Sequence, residues 1–305
     1  MASMNSAQFK SVVEPVLNEI FDGLYKEKPK QWPQVFKNEK AIKRRFSEDV
    51  QLAGLGLGVE KAEGAGVAYS SGGEAFRKTY TPRTFALAFQ VTEEMMEDGD
   101  HMDFSSVFTE HLARSMHEAE ELFHVDVFNQ AFNSAVVGGD GVSLLNTDHP
   151  LYNGGTFSNV LATAADLSET SLEEIRTMIV QAPNERGFKM SLQPKKLIVH
   201  PSEIFTAKRI LESTLRVGTS NNDINAIKSM GVIPEGVLEL SRLTDEDAWF
   251  VQTDAPRGLI HKERIGLKKG MEGDFETGSM RYKARQRYDA SWTDPRGLFG
   301  SQGAV

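Results

Sequence analysis

The chain has 305 residues, 40% of them hydrophobic and 25% charged, with 34 Lys and Arg against 43 Asp and Glu for a formal charge of -9. That is enough apolar material for one large core or two modest ones. The absence of cysteine excludes disulfides, thiolate metal centres and thiol nucleophiles, and the negative charge repels polyanions, which argues against a protein built to grip nucleic acid.

The start of the chain lacks the basic segment and apolar run of a secretory signal, and no stretch of about 18 apolar residues occurs, so no membrane partner is expected. Residues 7–26 carry Phe9, Val12, Val13, Val16, Leu17, Ile20, Phe21 and Leu24 at helical spacing, with Pro29 and Pro33 closing the helix. Between residues 51 and 73, glycines at 54, 56, 58, 64, 66, 72 and 73 leave too few side chains for a compact core, so the passage should project or flex. Phe85, Leu87, Phe89 and Val91 then alternate with polar or small residues, the pattern of a half-buried strand that returns a long hairpin to the body.

Asp103 is positioned to cap a helix over 103–132, with apolar residues from Phe104 to Ala131 recurring every three or four positions. Such a helix is roughly 45 Å long and reads as a structural spine. Beyond it lies a turn-rich passage, from Gly138 to Asn159, that suggests no regular element. Ser171 with Glu174 reads as a capping box for a helix carrying Leu172, Ile175, Met178 and Ile179. Residues 196–199, 237–240 and 249–252 read as strands, Pro201 as a helix start, and the asparagine-rich 218–225 as a mobile loop, giving a mixed α+β domain. Residues 280–292 form a strand with one basic face, Arg281, Lys283, Arg285 and Arg287.

The tested chemical motifs read as structure. Glu121-x-x-His124 has the spacing of a carboxylate-bridged metal site, but such sites need a second motif of the kind, and none is present, so the metal-dependent enzyme using Glu121 and His124 is the weaker alternative. Glu118, Glu120 and Glu121 read instead as a solvated or intersubunit acidic face, with Glu118 or Glu121 able to pair with Arg285 or Arg287 within or between subunits. Asp148-His149 lacks a serine nucleophile on a strained turn and reads as turn chemistry. Gly54-x-Gly56-x-Gly58 lacks the Gly-Lys-Ser/Thr of a phosphate loop. No catalytic residue and no cofactor is expected.

The order of parts carries a resemblance: an N-terminal arm, a glycine-rich hairpin, a spine helix, the passage Leu144-Leu145-Asn146-Thr147-Asp148-His149-Pro150 with Gly154-Gly155-Thr156-Phe157-Ser158-Asn159, a mixed domain, and closing residues Tyr288-Asp289-Ala290-Ser291-Trp292. It resembles the major capsid proteins of tailed bacteriophages, whose Hong Kong ninety-seven-type fold is shared with encapsulin compartments. The resemblance implies an α+β fold with an arm over 1–50, an extended hairpin and return strand over 51–92, a peripheral domain over 93–158, an axial domain over 159–270 and a return to the peripheral domain over 271–305. It implies a non-enzymatic shell protein whose partner is itself, in hexamers and pentamers of an icosahedral head enclosing double-stranded DNA, assembled in the host bacterial cytoplasm. The DNA would be a non-specific neighbour. An encapsulin-type shell is the alternative. About 50 residues before the hairpin are too few for a built-in scaffolding region, so a separate scaffolding protein, or none, is expected, with a portal and a possible decoration protein. Lys61 and Lys78 lie where some relatives cross-link, but the rest of such a site is not in evidence. The assembly-interface candidates are Gly54, Gly56, Gly58, Arg77, Lys78, Glu118, Glu121, Arg281, Lys283, Arg285 and Arg287.

Overall fold

The computed structural model describes residues 6–98, 101–215, 223–274 and 276–304. In chain order the elements are α1 (Ser6–Tyr25), β1 (Lys37–Glu39), β2 (Ser47–Leu52), β3 (Glu74–Tyr80), β4 (Arg83–Val91), α2 (Glu93–Glu97), α3 (His101–Asn129), β5 (His149–Pro150), β6 (Thr156–Phe157), α4 (Glu169–Gln181), β7 (Pro194–Val199), α5 (Ile204–Glu212), α6 (Ala226–Met230), β8 (Val237–Glu239), β9 (Trp249–Thr253), β10 (Leu259–Gly273), β11 (Met280–Trp292) and β12 (Leu298–Ser301). The side chains of Phe9, Val12, Met96 and Asp103 fall outside the described residues, as does most of the asparagine-rich loop. Asn225, at that loop's end, is buried, and its side chain accepts from the backbone of Ile227 and Lys228 to cap α6.

Two four-stranded sheets organise the molecule, one in the order β1-β10-β11-β4 and the other β12-β9-β7-β8. The first is nearly all antiparallel, and β11 lies at its centre with alternate side chains buried, because Met280, Tyr282, Ala284 and Tyr288 share one face and the basic residues the other. On the buried face α1 and α3 pack together: Val13, Leu17 and Phe21 meet Leu112, Ala113 and Met116 above Met271 and Tyr282. The helix α3 runs 29 residues, about 43 Å at 1.5 Å per residue. Its apolar stripe is only partly covered, since Val107, Phe108 and Leu122 remain exposed where a core position was expected.

The second sheet carries a separate cluster in which Leu172, Ile175 and Ile179 of α4 lie against Leu197, Val199, Trp249 and Val251. The cap of α4 is one turn earlier than expected. Ser168, with extended backbone, accepts from the Ser171 backbone at 3.1 Å, while Ser171 Oγ accepts from the Ser168 backbone at 2.9 Å, so Ser171 is the third helical residue and not the cap. A third cluster, including Phe128, Leu144, Ile198, Phe250, Trp292 and Leu298, joins the two sheets through the end of α3.

Several expected boundaries move. The hairpin is built by β2 pairing antiparallel with β3, so its first strand begins at Ser47, before the expected 51. The strand β4 pairs with β11 and belongs to the first sheet, not to the hairpin. Position 270 falls inside β10, and β12 pairs with β9 in the second sheet, so the chain's end serves both layers. The turn-rich passage contains a short ladder after all, His149 opposite Phe157.

Candidate assembly surface

Between β2 and β3 the chain runs through residues 53–73 without regular structure. Leu55, Leu57, Val59, Val67 and Tyr69 stand exposed on it, Tyr69 at 98%. Five large apolar side chains in water on one excursion make a candidate contact surface, because burying each elsewhere contributes about 1.5–3 kcal/mol. The base is fixed where the tip is not. The Ala53 backbone donates to Gly73 at 2.8 Å, and Arg186 Nε donates to the carbonyls of Ala53 and Gly54 at 3.0 and 3.1 Å, with its Nη2 on Ser71. Gly54 has φ +59°, a left-handed turn that favours glycine; Gly58 has open space around it, and the Gly56 backbone donates to Ser70 Oγ at 2.9 Å. One left-handed bend therefore sits at Gly54, beside the Arg186 clamp, and a second at Gly64 (φ +77°) farther out.

Arg77 and Lys78 lie on β3. Arg77 bridges Glu48 and Glu74 at 3.3 and 3.2 Å on the surface. Lys78 turns inward, donating to the Val137 carbonyl at 3.0 Å and lying over the Trp292 ring; burial lowers its ammonium pKa, against the pull of Asp289 and Asp140. Lys61 stays exposed on the tip.

Beneath the hairpin base lies a buried polar seam that the sequence did not reveal. Arg296, 1% exposed, holds Glu185 at 2.7 Å, Asp294 at 3.1 Å and the Pro183 carbonyl at 2.6 Å, and stacks over Phe157. Gln51 of β2 donates to the same Glu185 at 2.9 Å, which ties the hairpin to this centre. Next to it, His149 contacts Asp140 at 2.6 Å, not the adjacent Asp148, and its other ring nitrogen faces Asn159 Oδ1 at 3.1 Å. Asn159 Nδ2 lies within hydrogen-bond distance of the carbonyls of Leu144, Pro295 and Leu298. The Asn146–Asn159 passage is thus a lock between the spine and the second sheet, not a free turn.

The acidic stretch of α3 is mostly not a solvated face. Glu118 alone is half exposed, and its two oxygens take both Nε and Nη2 of Arg242 at 2.6 Å, a fork that lowers the carboxyl pKa. Glu120 is buried among Lys30 at 2.9 Å, Trp32 Nε1 at 3.0 Å and the Tyr25 hydroxyl; burial pushes it up, but Lys30 and Tyr25 outweigh that and hold it low. Glu121 is fully buried, accepts from the Gln31 backbone at 2.8 Å, and has its pKa raised by burial. The returning segment around Trp32 covers this face, so the expected pairing of Glu118 or Glu121 with Arg285 or Arg287 within the chain does not form. Arg287 donates instead to the Pro82 carbonyl at 3.4 Å, and Arg281 pairs with Asp274 and Gln90. Lys283 and Arg285 remain exposed.

His124 is committed inside the core. Its Nδ1 contacts the Glu120 carbonyl at 2.6 Å, its Nε2 meets His261 Nδ1 at 2.9 Å, and Trp32 stacks on its ring with centroids 4.3 Å apart. Burial lowers His124 to about 3 and His261 to about 4, so both are neutral at pH 7. With both nitrogens occupied, His124 offers no lone pair to a metal beside Glu121. Among the described residues no group of three or more His, Cys, Asp or Glu is placed to hold one, and no described helix is long and apolar enough to cross a membrane.

A family model described as phage capsid protein matches residues 75–300. Among solved structures, the capsid of a native GTA particle is 12% identical with a TM-score of 0.59, over 90% of this chain and 90% of that one. A Mycobacterium phage Adephagia chain is 12% identical with a TM-score of 0.53, over 91% of each. The procapsid of bacteriophage JBD30 is 15% identical with a TM-score of 0.51, over 97% of this chain and 75% of that one. At such identities the likeness is one of fold. No curated protein sequence matches the chain.

Proposed function

This chain belongs to the phage capsid protein family, and from that premise we propose that it is the major head protein of a tailed phage, tiling as hexamers and pentamers into an icosahedral shell around double-stranded DNA. It is a structural shell protein, and its place is the virion capsid. The observation that carries the finer reading is the hairpin: a clamped base at Arg186 under a tip with Leu55, Leu57, Val59, Val67 and Tyr69 in water. Among the described residues no face of the same chain covers these side chains, so a neighbouring copy is their natural cover. In this reading the first sheet with α1 and α3 forms the peripheral domain, and the second sheet with α4, α5 and α6 the axial domain.

Repetition supplies the stability. A standard interface buries roughly 1,600 Å², and a subunit with several weak neighbours sums them into a durable shell while each contact stays correctable. A bend at Gly54 lets one hairpin serve fivefold and sixfold surroundings without repacking a core. A separate scaffolding protein, a portal and a decoration protein complete the assembly in the host bacterial cytoplasm, and the net charge of -9 keeps packaged DNA from adhering to the wall. Lys283 and Arg285, exposed on the first sheet, serve as contact cations between copies. Expressing the chain alone and imaging it by negative-stain electron microscopy tests the reading. Shells, tubes or capsomers are expected; a monodisperse monomer at high concentration would overturn it.

A further inference from the structure

The molecule carries two opposite charge patches that cannot reach each other. Lys37, Lys40, Lys43, Arg44 and Arg45 are all exposed within residues 37–45 of an otherwise acidic chain. Buried Ile42 pins their loop through its backbone donation to Glu263 at 2.8 Å, so the cations project on both sides of a fixed point. Behind the loop opens a cavity of about 930 Å³, lined in part by Lys40, Lys43, Arg44, Arg257 and half-exposed Phe46. The carboxylates at that cavity are already engaged: Asp49 and Glu39 lie 2.5 and 3.7 Å from Lys262, and Glu48 pairs with Arg77. Lys40, Lys43, Arg44 and Arg45 make no ion pair with the described residues.

At the far end of the first sheet, Glu93, Glu94, Glu272 and Glu276 are exposed without an ion-pair partner among the described residues. They share one end because Val91 and Gly273 both pair with Met280. The nearest guanidinium there, Arg281, is held by Asp274. From Glu263 to Glu272 along β10 is about 30 Å at 3.3–3.4 Å per residue. The patches therefore cannot meet in one copy, whereas a head-to-tail contact between copies joins them, and such contacts close into rings when the rotation permits.

We propose that the basic loop around Lys43–Arg45 receives the acidic end of the β10–β11 hairpin, with Glu93 and Glu94, from a neighbouring copy. The inference rests on the shell reading and adds a specific contact to it. A continuous phosphate backbone fits the loop less well, because the chain as a whole is acidic and repels polyanions.

The test uses the full chain and follows assembly by light scattering and electron microscopy. Lys43→Glu, Arg44→Glu and Arg45→Glu together should slow assembly about tenfold or more while leaving circular dichroism and the unfolding midpoint unchanged, since opposed charges set encounter rates. Glu93→Lys, Glu94→Lys, Glu272→Lys and Glu276→Lys together should do the same, and both sets in one chain should restore assembly toward the unmodified rate. A loop variant that assembles normally overturns the contact, as does a combined variant no better than either set. Normal assembly with weakened retention of added duplex DNA would make the loop a nucleic-acid site and also overturn it. If the unmodified chain forms no particles, it is the shell reading that fails.

Discussion

The hairpin tip and the seam beneath its base lie a short distance apart and obey opposite rules. In the seam, the side chains of Arg296, Glu185, Asp294, His149, Asp140 and Asn159 are buried and bonded to one another or to backbone. On the tip, Leu55, Leu57, Val59 and Tyr69 are in water and touch little. One region is finished within a single chain; the other, in the proposed shell, is completed by a neighbouring copy. Folding and assembly are therefore separable, and mutations should sort by region.

The largest effect is expected in the seam. Arg296→Met strands Glu185 and Asp294 without a cation, and removing one partner of a buried pair costs about 3–5 kcal/mol. Urea unfolding of the unassembled chain should show that loss; a change below about 1 kcal/mol would mean water already reaches the seam.

Acid should act on the buried core as well. His124 and His261 titrate lower in the folded chain, about 3 and about 4, than the roughly 6.5 of an unfolded imidazole. Below about pH 6.5 the unfolded chain binds protons the folded chain refuses, so stability present above that pH is lost as pH falls toward 4 and 3, by up to about 1.4 kcal/mol per unit for each histidine. Unfolding midpoints measured between pH 7 and 5 check the slope, and His261→Gln should roughly halve it.

The smallest effect separates the glycines. Gly54→Ala forces a left-handed φ on a residue with a Cβ and should cost about 1 kcal/mol, whereas Gly58→Ala, in open space, should stay within about 0.5 kcal/mol. Equal effects on thermal unfolding would place the bend elsewhere.

Periodicity explains what could be read without coordinates. The alternation of Met280, Tyr282 and Ala284 and the three-to-four spacing along α3 come from local geometry, and both elements are where the pattern puts them. The strand β10 was hidden because register shifts between Glu263 and Ile265 and between Ile265 and Lys268 break its alternation, and its glycines and charges mimic a loop. β2, with the sequence SEDVQL, has too few apolar residues to announce a strand. Glu120 and Glu121 looked solvated because their burial comes from Lys30, Gln31 and Trp32, some 90 residues away in sequence. The seam was illegible for the same reason: Glu185 and Arg296 meet only in the fold, though a basic cluster at residues 37–45 in an acidic chain was a signal open to inspection.

Replacing residues 55–71 by a short turn tests the separation most directly, read by sedimentation beside thermal unfolding. The account predicts a folded monomer that melts with the intact subunit and forms no particles. Shells of normal yield from the shortened chain, or a monomer that no longer folds, would contradict it.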